Sequence, residues 1–251
     1  MECEHIYEAD YIVRSYEIDS GGLVRPLTIL NYLQDAAGEH AARLGVSVPA
    51  LLKRNMTWVL SRYHLHFHSF PPAHSRITLR TWPSAREGRF VLRDFQLVDA
   101  EENPLVLATS SWMLIDLKTR RPVRIADALP DLPAVPRRSI HDSFESLPVL
   151  EECHCELPFR VRHSDLDLNQ HVNNTVYVDW ALETLPKDVI GRFRPKKIEV
   201  SYRAEARYGD RIMSRSQFSS GDTPTSLHQL VRESDEREVA RLRIDWDVTE
   251  L

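Results

Sequence analysis

Two stretches of this chain run through the same order of patterns, a helix-periodic apolar segment followed by strands that are apolar at alternate positions. One gap-free offset places Leu65-His66-Phe67 on Val200-Ser201-Tyr202 and Arg76-Ile77 on Arg211-Ile212. Such a repeat constrains the fold more than any local motif, because each copy must bury the same helix against the same strands. Between the copies, residues 126–150 carry Pro130, Pro133, Pro136 and Pro148 with little periodicity, and proline at that density opposes both helix and central strand. The expected division is therefore a first domain over 1–128, a proline-rich linker over 129–150 and a second domain over 151–251.

In the first copy Pro26 can open a helix reaching about Leu44, with Leu27, Leu30, Leu33, Ala37, Ala41 and Leu44 on one face and Gly45 as its stop. The counterpart from about Thr175 to Leu185 carries Val176, Tyr177, Val178, Trp180, Ala181, Leu182 and Leu185, which cover most of the helix surface and predict burial nearly all round. Strand patterns follow each helix: Tyr63, Leu65, Phe67 in one half and Ile198, Val200, Tyr202 in the other, then Phe90 to Asp99 and Val106 to Asp116 matched by Ser226 to Glu233 and Val239 to Asp247. Each copy thus reads as α+β, a curved antiparallel sheet wrapped around one long helix. That is the hotdog plan, and two copies on one chain make two tandem hotdog domains.

With 251 residues, 42% of them hydrophobic and 27% charged, the chain can bury a core of this size. The formal charge of -5 offers no overall cationic surface to nucleic acid or anionic lipid. No apolar run approaches the roughly 18 to 20 residues of a membrane helix, and the acidic start Met1-Glu2-Cys3-Glu4 is unlike a signal peptide. Three cysteines, Cys3, Cys153 and Cys155, are too few for a disulfide framework and agree with a reducing, cytoplasmic setting. None of the eight glycines forms a dinucleotide, P-loop or serine-hydrolase signature, so no cofactor is expected.

Chemistry concentrates in the run from Arg162 to Asn174, just before the second helix. If extended, it would project Asp167, Asn169 and His171 from one side, since strand side chains alternate. Asn173 or Asn174 is a suitable N-cap, and the helix start behind them favours a developing negative charge. Asp, Asn and His also make ordinary turns and caps. The repeat argues for more than that, because the first copy has Asp19-Ser20-Gly21-Gly22-Leu23 there, with glycine and leucine where Asn169 and His171 stand. By the same alignment Glu205 falls on Phe70, so a carboxylate again occurs only in the second copy; otherwise Glu205 is a solvated strand end paired with Arg203 or Arg207.

Asp165-Leu-Asp-Leu-Asn-Gln-His-Val-Asn-Asn-Thr-Val-Tyr177, with Tyr202-Arg203-Ala204-Glu205 downstream, resembles the diagnostic motifs of the acyl-acyl carrier protein (ACP) thioesterases of plants and bacteria, and the similarity extends through Tyr16 to His40 and Trp58 to Phe70. The resemblance implies a thioester hydrolase that ends fatty acid elongation by releasing free fatty acid, with Asp167, Asn169, His171 and Glu205 as catalytic residues. Many plant members carry a cysteine after that glutamate; this chain has Ala206. The resemblance further implies that the first hotdog forms much of the acyl pocket, with Leu27, Leu30, Leu33, Trp58, Phe67 and Phe70 as candidate walls beside their ordinary role in the core, and with Asn173 and Asn174 near the thioester. The implied partner is an acidic carrier protein, for which Arg192, Arg194, Lys196 and Lys197, or Arg120, Arg121 and Arg124, are candidate docking clusters. One chain would act as a pseudo-dimer or associate into a homodimer. An acyl-CoA thioesterase and a non-catalytic acyl-binding protein of the same fold are the alternatives.

Two further signals are set aside. His64, His66 and His68 alternate on one strand and are expected on an exposed face, with no carboxylate or cysteine at ligand spacing to make a metal site. Cys153-His154-Cys155 is half a zinc motif without a second half, or a source of a thiol nucleophile for His171.

Overall fold

The computed structural model describes residues 5–221 and 223–248, so Cys3 lies outside the described residues. The chain divides into two compact units, Met1–Ser143 and Phe144–Leu251, the division falling inside the proline-rich stretch.

The first unit runs β1 (Tyr7–Ile12), α1 (Pro26–Arg43), α2 (Val48–Leu52), β2 (Met56–Phe67), β3 (Arg76–Glu87), β4 (Phe90–Val98), β5 (Pro104–Asp116), β6 (Arg121–Pro122) and α3 (Ile125–Ala128). Its strands lie in the order β1-β3-β4-β5-β2, all antiparallel, with β6 on β5. The second unit runs β7 (Cys155–Arg160), α4 (Asn174–Glu183), α5 (Lys187–Arg192), β8 (Phe193–Tyr202), β9 (Arg211–Ser219), β10 (Thr225–Arg232) and β11 (Arg237–Val248). Its order is β7-β9-β10-β11-β8, the same arrangement of five strands, without counterparts of β6 and α3.

Helix α1 starts with Pro26 in its first turn, where the missing N–H costs nothing. It ends as expected at Gly45, whose φ of +70° lets Gly45 N and Val46 N bond back to Ala42 O and Ala41 O. Its Ile29, Leu30, Leu33 and Ala36 are at most 1% exposed, and the helix packs on β3 and β1. Helix α4 packs on β9, β10 and β11, with Tyr177, Val178, Trp180 and Ala181 buried and Glu183 alone of its residues exposed. Hydroxyls of Thr184 and Ser214 both reach the Trp180 carbonyl, at 2.7 and 3.2 Å, satisfying a helix end that would otherwise be buried bare.

The proline-rich stretch forms no helix or strand over 129–150, yet it is no free tether. Leu129, Leu132, Val135 and Ile140 are buried, Val135 N bonds Pro83 O, and Trp82 Nε1 donates to Arg137 O at 2.7 Å while the Arg137 guanidinium lies 4.1 Å from the Trp82 ring. Asp94, fully buried on β4, accepts from Ser84 Oγ, Arg138 Nε at 3.0 Å and Ser139 N at 2.7 Å. Residues 129–143 therefore work as a strap tied to β3 and β4 of the first sheet.

The histidine expectation needs correction. His64 is not on an exposed face: its side chain is 12% exposed and its Nδ1 lies 2.7 Å from Asp142 Oδ2, while its Nε2 lies 2.9 Å from His66 Nε2. The carboxylate missing from the local sequence arrives from the end of the strap. Only His68 is exposed.

Two other histidines sit in the cores. Arg93 donates to His40 Nδ1 at 3.2 Å and to Thr81 Oγ1 at 3.1 Å, and desolvation pulls His40 down to about 3, with the Arg93 charge adding to the effect. His228, 1% exposed beside Ser226 Oγ at 2.8 Å, is pushed down to about 3 by burial alone. Both rings are neutral when folded, whereas an unfolded histidine takes its proton near 6.5. Their stabilising contribution is complete above that value and is lost as the pH falls from about 6.5 towards 3, each at up to about 1.4 kcal/mol per pH unit. Urea denaturation between pH 5 and 6 is expected to show His228→Gln with a pH slope about 1.4 kcal/mol per unit shallower than wild type; equal slopes would contradict a buried neutral His228.

Candidate active site

The run after β7 is not extended, contrary to the sequence expectation. Leu166 and Val172 form an antiparallel bridge, and between them the chain closes on itself through Asp167 N to His171 O at 2.8 Å. Asp167 is the reason. Its Oδ1 accepts from Asn169 N at 2.8 Å and His171 N at 3.3 Å, an aspartate turn that outcompetes strand geometry, and Gln170 takes a φ of +61° to complete it. The carboxylate, amide and imidazole are still neighbours, but through a closed loop rather than through strand alternation. Asn169 Nδ2 stands 3.5 Å from Asp167 Oδ2.

Upstream, the Arg162 guanidinium and backbone N–H hold Asp165, which is 3% exposed, and Asp165 O accepts from Asn173 N at 2.8 Å. Asn173 is the N-cap of α4, its Oδ1 accepting from Thr175 N at 3.1 Å; Asn174 is the first helical residue and its carbonyl accepts from Tyr202 Oη. The ordinary turn-and-cap roles are thus filled by Asp167 and Asn173 at the same time as they set out the polar cluster.

Glu205 meets this loop from the segment after β8. Its Oε2 lies 3.1 Å from His171 Nε2, with the histidine side chain 22% and the glutamate 46% exposed, so the pair sits at a solvent-reachable edge. Of the expected alternative partners, Arg203 is engaged elsewhere, with Glu238 at 3.6 Å.

Three residues outside the set of site candidates read from the sequence hold Glu205 in place. Ala206, completely buried, donates its N–H to the Tyr177 hydroxyl at 3.1 Å and accepts from Val172 N at 2.9 Å. Arg232 Nη1 donates to the Glu205 carbonyl at 2.6 Å while its Nη2 is held by Asp235 at 2.7 Å. Burial drives the Tyr177 hydroxyl well above the ordinary phenol range, so it stays protonated. Tyr177 was legible only as an apolar helix residue; the alternation of sheet and helix gives no sign that its hydroxyl serves a backbone amide.

The remaining candidates divide by unit. Leu30, Leu33 and Phe67 are core residues of the first unit, Leu27 is partly exposed, Trp58 donates to Val46 O at 2.8 Å and packs beside Leu51 and Met56, and Phe70 stacks on Phe67 at 5.0 Å. Arg192 lies 5.7 Å over the Phe193 ring, Arg194 and Lys197 are half-buried on β8, and Lys196 pairs with Asp247 at 3.0 Å. Arg120, Arg121 and Arg124 are exposed. The Cys153 thiol is exposed and donates to Cys155 O, while the ring nitrogen Nε2 of His171 faces Glu205.

Replacing Tyr177 by Phe strands the buried Ala206 N–H, at a cost of about 1 to 3 kcal/mol. Chemical denaturation should register that loss, and the Glu205 and His171 resonances should broaden or shift; a variant as stable as wild type would disprove the tie.

Residues 4–132 match the acyl-ACP thioesterase N-terminal domain and residues 150–248 the acyl-ACP thioesterase C-terminal domain. Among curated relatives, the chloroplastic oleoyl-acyl carrier protein thioesterase 2 of Arabidopsis thaliana is 29% identical, over 98% of this chain and 78% of its own length. The chloroplastic oleoyl-acyl carrier protein thioesterase of Coriandrum sativum is 32% identical over 83% of this chain, which spans 61% of that relative's length. Among solved structures, a 12:0-ACP thioesterase from Umbellularia californica superposes with a TM-score of 0.89 at 25% identity, covering 97% of this chain and 94% of that one. An acyl-ACP thioesterase from Bacteroides thetaiotaomicron, at 23% identity, shares the fold with a TM-score of 0.87, covering 98% of this chain and 100% of that one. With both domain matches in chain order and together taking in most of its residues, the chain belongs to the acyl-ACP thioesterase family.

Proposed function

We propose that this chain is a tandem hotdog thioesterase that hydrolyses acyl-ACP thioesters to free fatty acids, with its chemistry in the second unit and its acyl pocket in the first. The observation that carries the reading is the His171–Glu205 pair, 3.1 Å apart, on a loop whose counterpart in the first copy is closed in the same way by Asp19 but carries Gly21 and Leu23 where Asn169 and His171 stand.

Glu205 is the general base. Its half-exposed carboxylate takes a proton from water as the water oxygen attacks the thioester carbonyl, and the His171 Nε2–H holds that carboxylate in place. Asp167 is a positioning residue, because its Oδ1 is already committed to two backbone N–H groups. Asn169 Nδ2 carries two hydrogens, of which one faces Asp167; the other is available to the oxyanion. Collapse of the tetrahedral intermediate breaks the C–S bond, and the proton held by Glu205 passes to the departing thiolate. Ala206 places no nucleophile after Glu205, which agrees with a water mechanism. The carrier protein, acidic by class, docks on the basic residues of the α5–β8 segment, Arg192, Arg194, Lys196 and Lys197.

The test is thiol release from C4 to C18 acyl-ACP and acyl-CoA series. Fast release from the ACP series is expected, with Glu205→Gln and His171→Ala each reducing it by about 10² or more. Preference for CoA esters would replace the carrier, acyl binding without turnover would replace the activity, and variants within a few-fold of wild type would overturn the site assignment. Asp167→Asn keeps an oxygen able to accept the loop N–H groups and should retain much more activity than Asp167→Ala; equal loss in both would make Asp167 a chemical participant instead.

A further inference from the structure

We propose that His64 and His66 form a binding site for a borderline divalent cation, Zn²⁺ foremost, with Asp142 as the outer carboxylate that sets the His64 ring. The two-residue period of β2 puts both imidazoles on one face, opposite the core-facing Tyr63, Leu65 and Phe67. Their Nε2 atoms converge to 2.9 Å, with ring centroids 4.6 Å apart and the planes at 72°. Two imidazole nitrogens on one tetrahedral ion, each at about 2.0 to 2.1 Å from it, stand about 3.3 Å apart. Opening the present contact by a few tenths of an ångström admits the ion.

Asp142 makes the pair directional. Its Oδ2 accepts the His64 Nδ1 proton at 2.7 Å, which leaves the lone pair on Nε2, the atom aimed at His66. A metal-bound histidine almost always gives its other N–H to such a carboxylate, which fixes the tautomer and raises the basicity of the ligating nitrogen. Here that arrangement already exists, with both side chains at 15% exposure or less. In the metal-free contact His66 donates its Nε2 proton to His64. On binding, that proton moves to His66 Nδ1, both Nε2 lone pairs face the ion, no net proton is released, and water completes the coordination. Imidazole ligands select Zn²⁺, Ni²⁺ and Cu²⁺ over Mg²⁺ and Ca²⁺. Because Asp142 ends the strap and His64 belongs to β2, the ion would reinforce a tie between segments 78 residues apart in sequence and so stabilise the folded first unit.

The experiment is calorimetric titration of the full chain with ZnCl₂ in chelator-free buffer, paired with thermal melts. One saturable equivalent with a rise in Tm is expected. It should persist in the Cys153→Ser/Cys155→Ser double variant, disappear in His66→Gln and in His64→Gln, and weaken about 10- to 100-fold in Asp142→Asn. Circular dichroism establishes that each variant is folded. Absence of saturable binding to wild type, survival of binding in folded His66→Gln, or its loss with the cysteines would overturn the proposal, leaving the pair an imidazole–imidazole hydrogen bond only; undiminished affinity in Asp142→Asn would remove the outer carboxylate.

Discussion

The backbone of one alanine holds the second unit's polar cluster together. Ala206 gives its N–H to Tyr177 Oη and takes a bond from Val172 N, so helix α4, the loop closed by Asp167 and the segment bearing Glu205 are joined at a completely buried residue. Neither bond involves a side chain that performs chemistry, and both run through groups that must be satisfied because water cannot reach them. Precision at a half-exposed edge therefore comes from obligation in the interior. The bonds that satisfy these buried amides also bring His171 and Glu205 face to face.

The same rule operates at the Asp167 loop. A carboxylate that accepts two loop N–H groups is spent as a geometric element, and the loop can then present Asn169 and His171 at fixed positions without a regular element beneath them. The loop costs one unusual backbone angle, at Gln170, and gains a closed ring of hydrogen bonds.

How far the sequence revealed this depends on range. The repeat, the start and stop of α1 at Pro26 and Gly45, and the N-cap at Asn173 rest on local chemistry and were legible as such. The extended reading of 162–174 failed because period-two alternation carries no information about an aspartate folding its own chain. Tyr177, Arg232 and the strap's Arg138 act on groups 29, 27 and 44 positions away, and nothing in their immediate neighbours announces those partners. His64 shows the cost most clearly, since the carboxylate missing from its local sequence was Asp142.

The strap also decides where the first half ends as a folding unit. Proline content alone suggests that residues beyond 128 are dispensable connection, yet Asp94 draws the cation of Arg138 and a backbone N–H, from Ser139, out of that connection. A first half translated only to residue 128 would carry a carboxylate buried without its cation, a loss of about 3 to 5 kcal/mol, and would leave the Trp82 face uncovered. On the ribosome this half completes its fold only after the chain has run past residue 140, when the beginning of the second unit is about to follow.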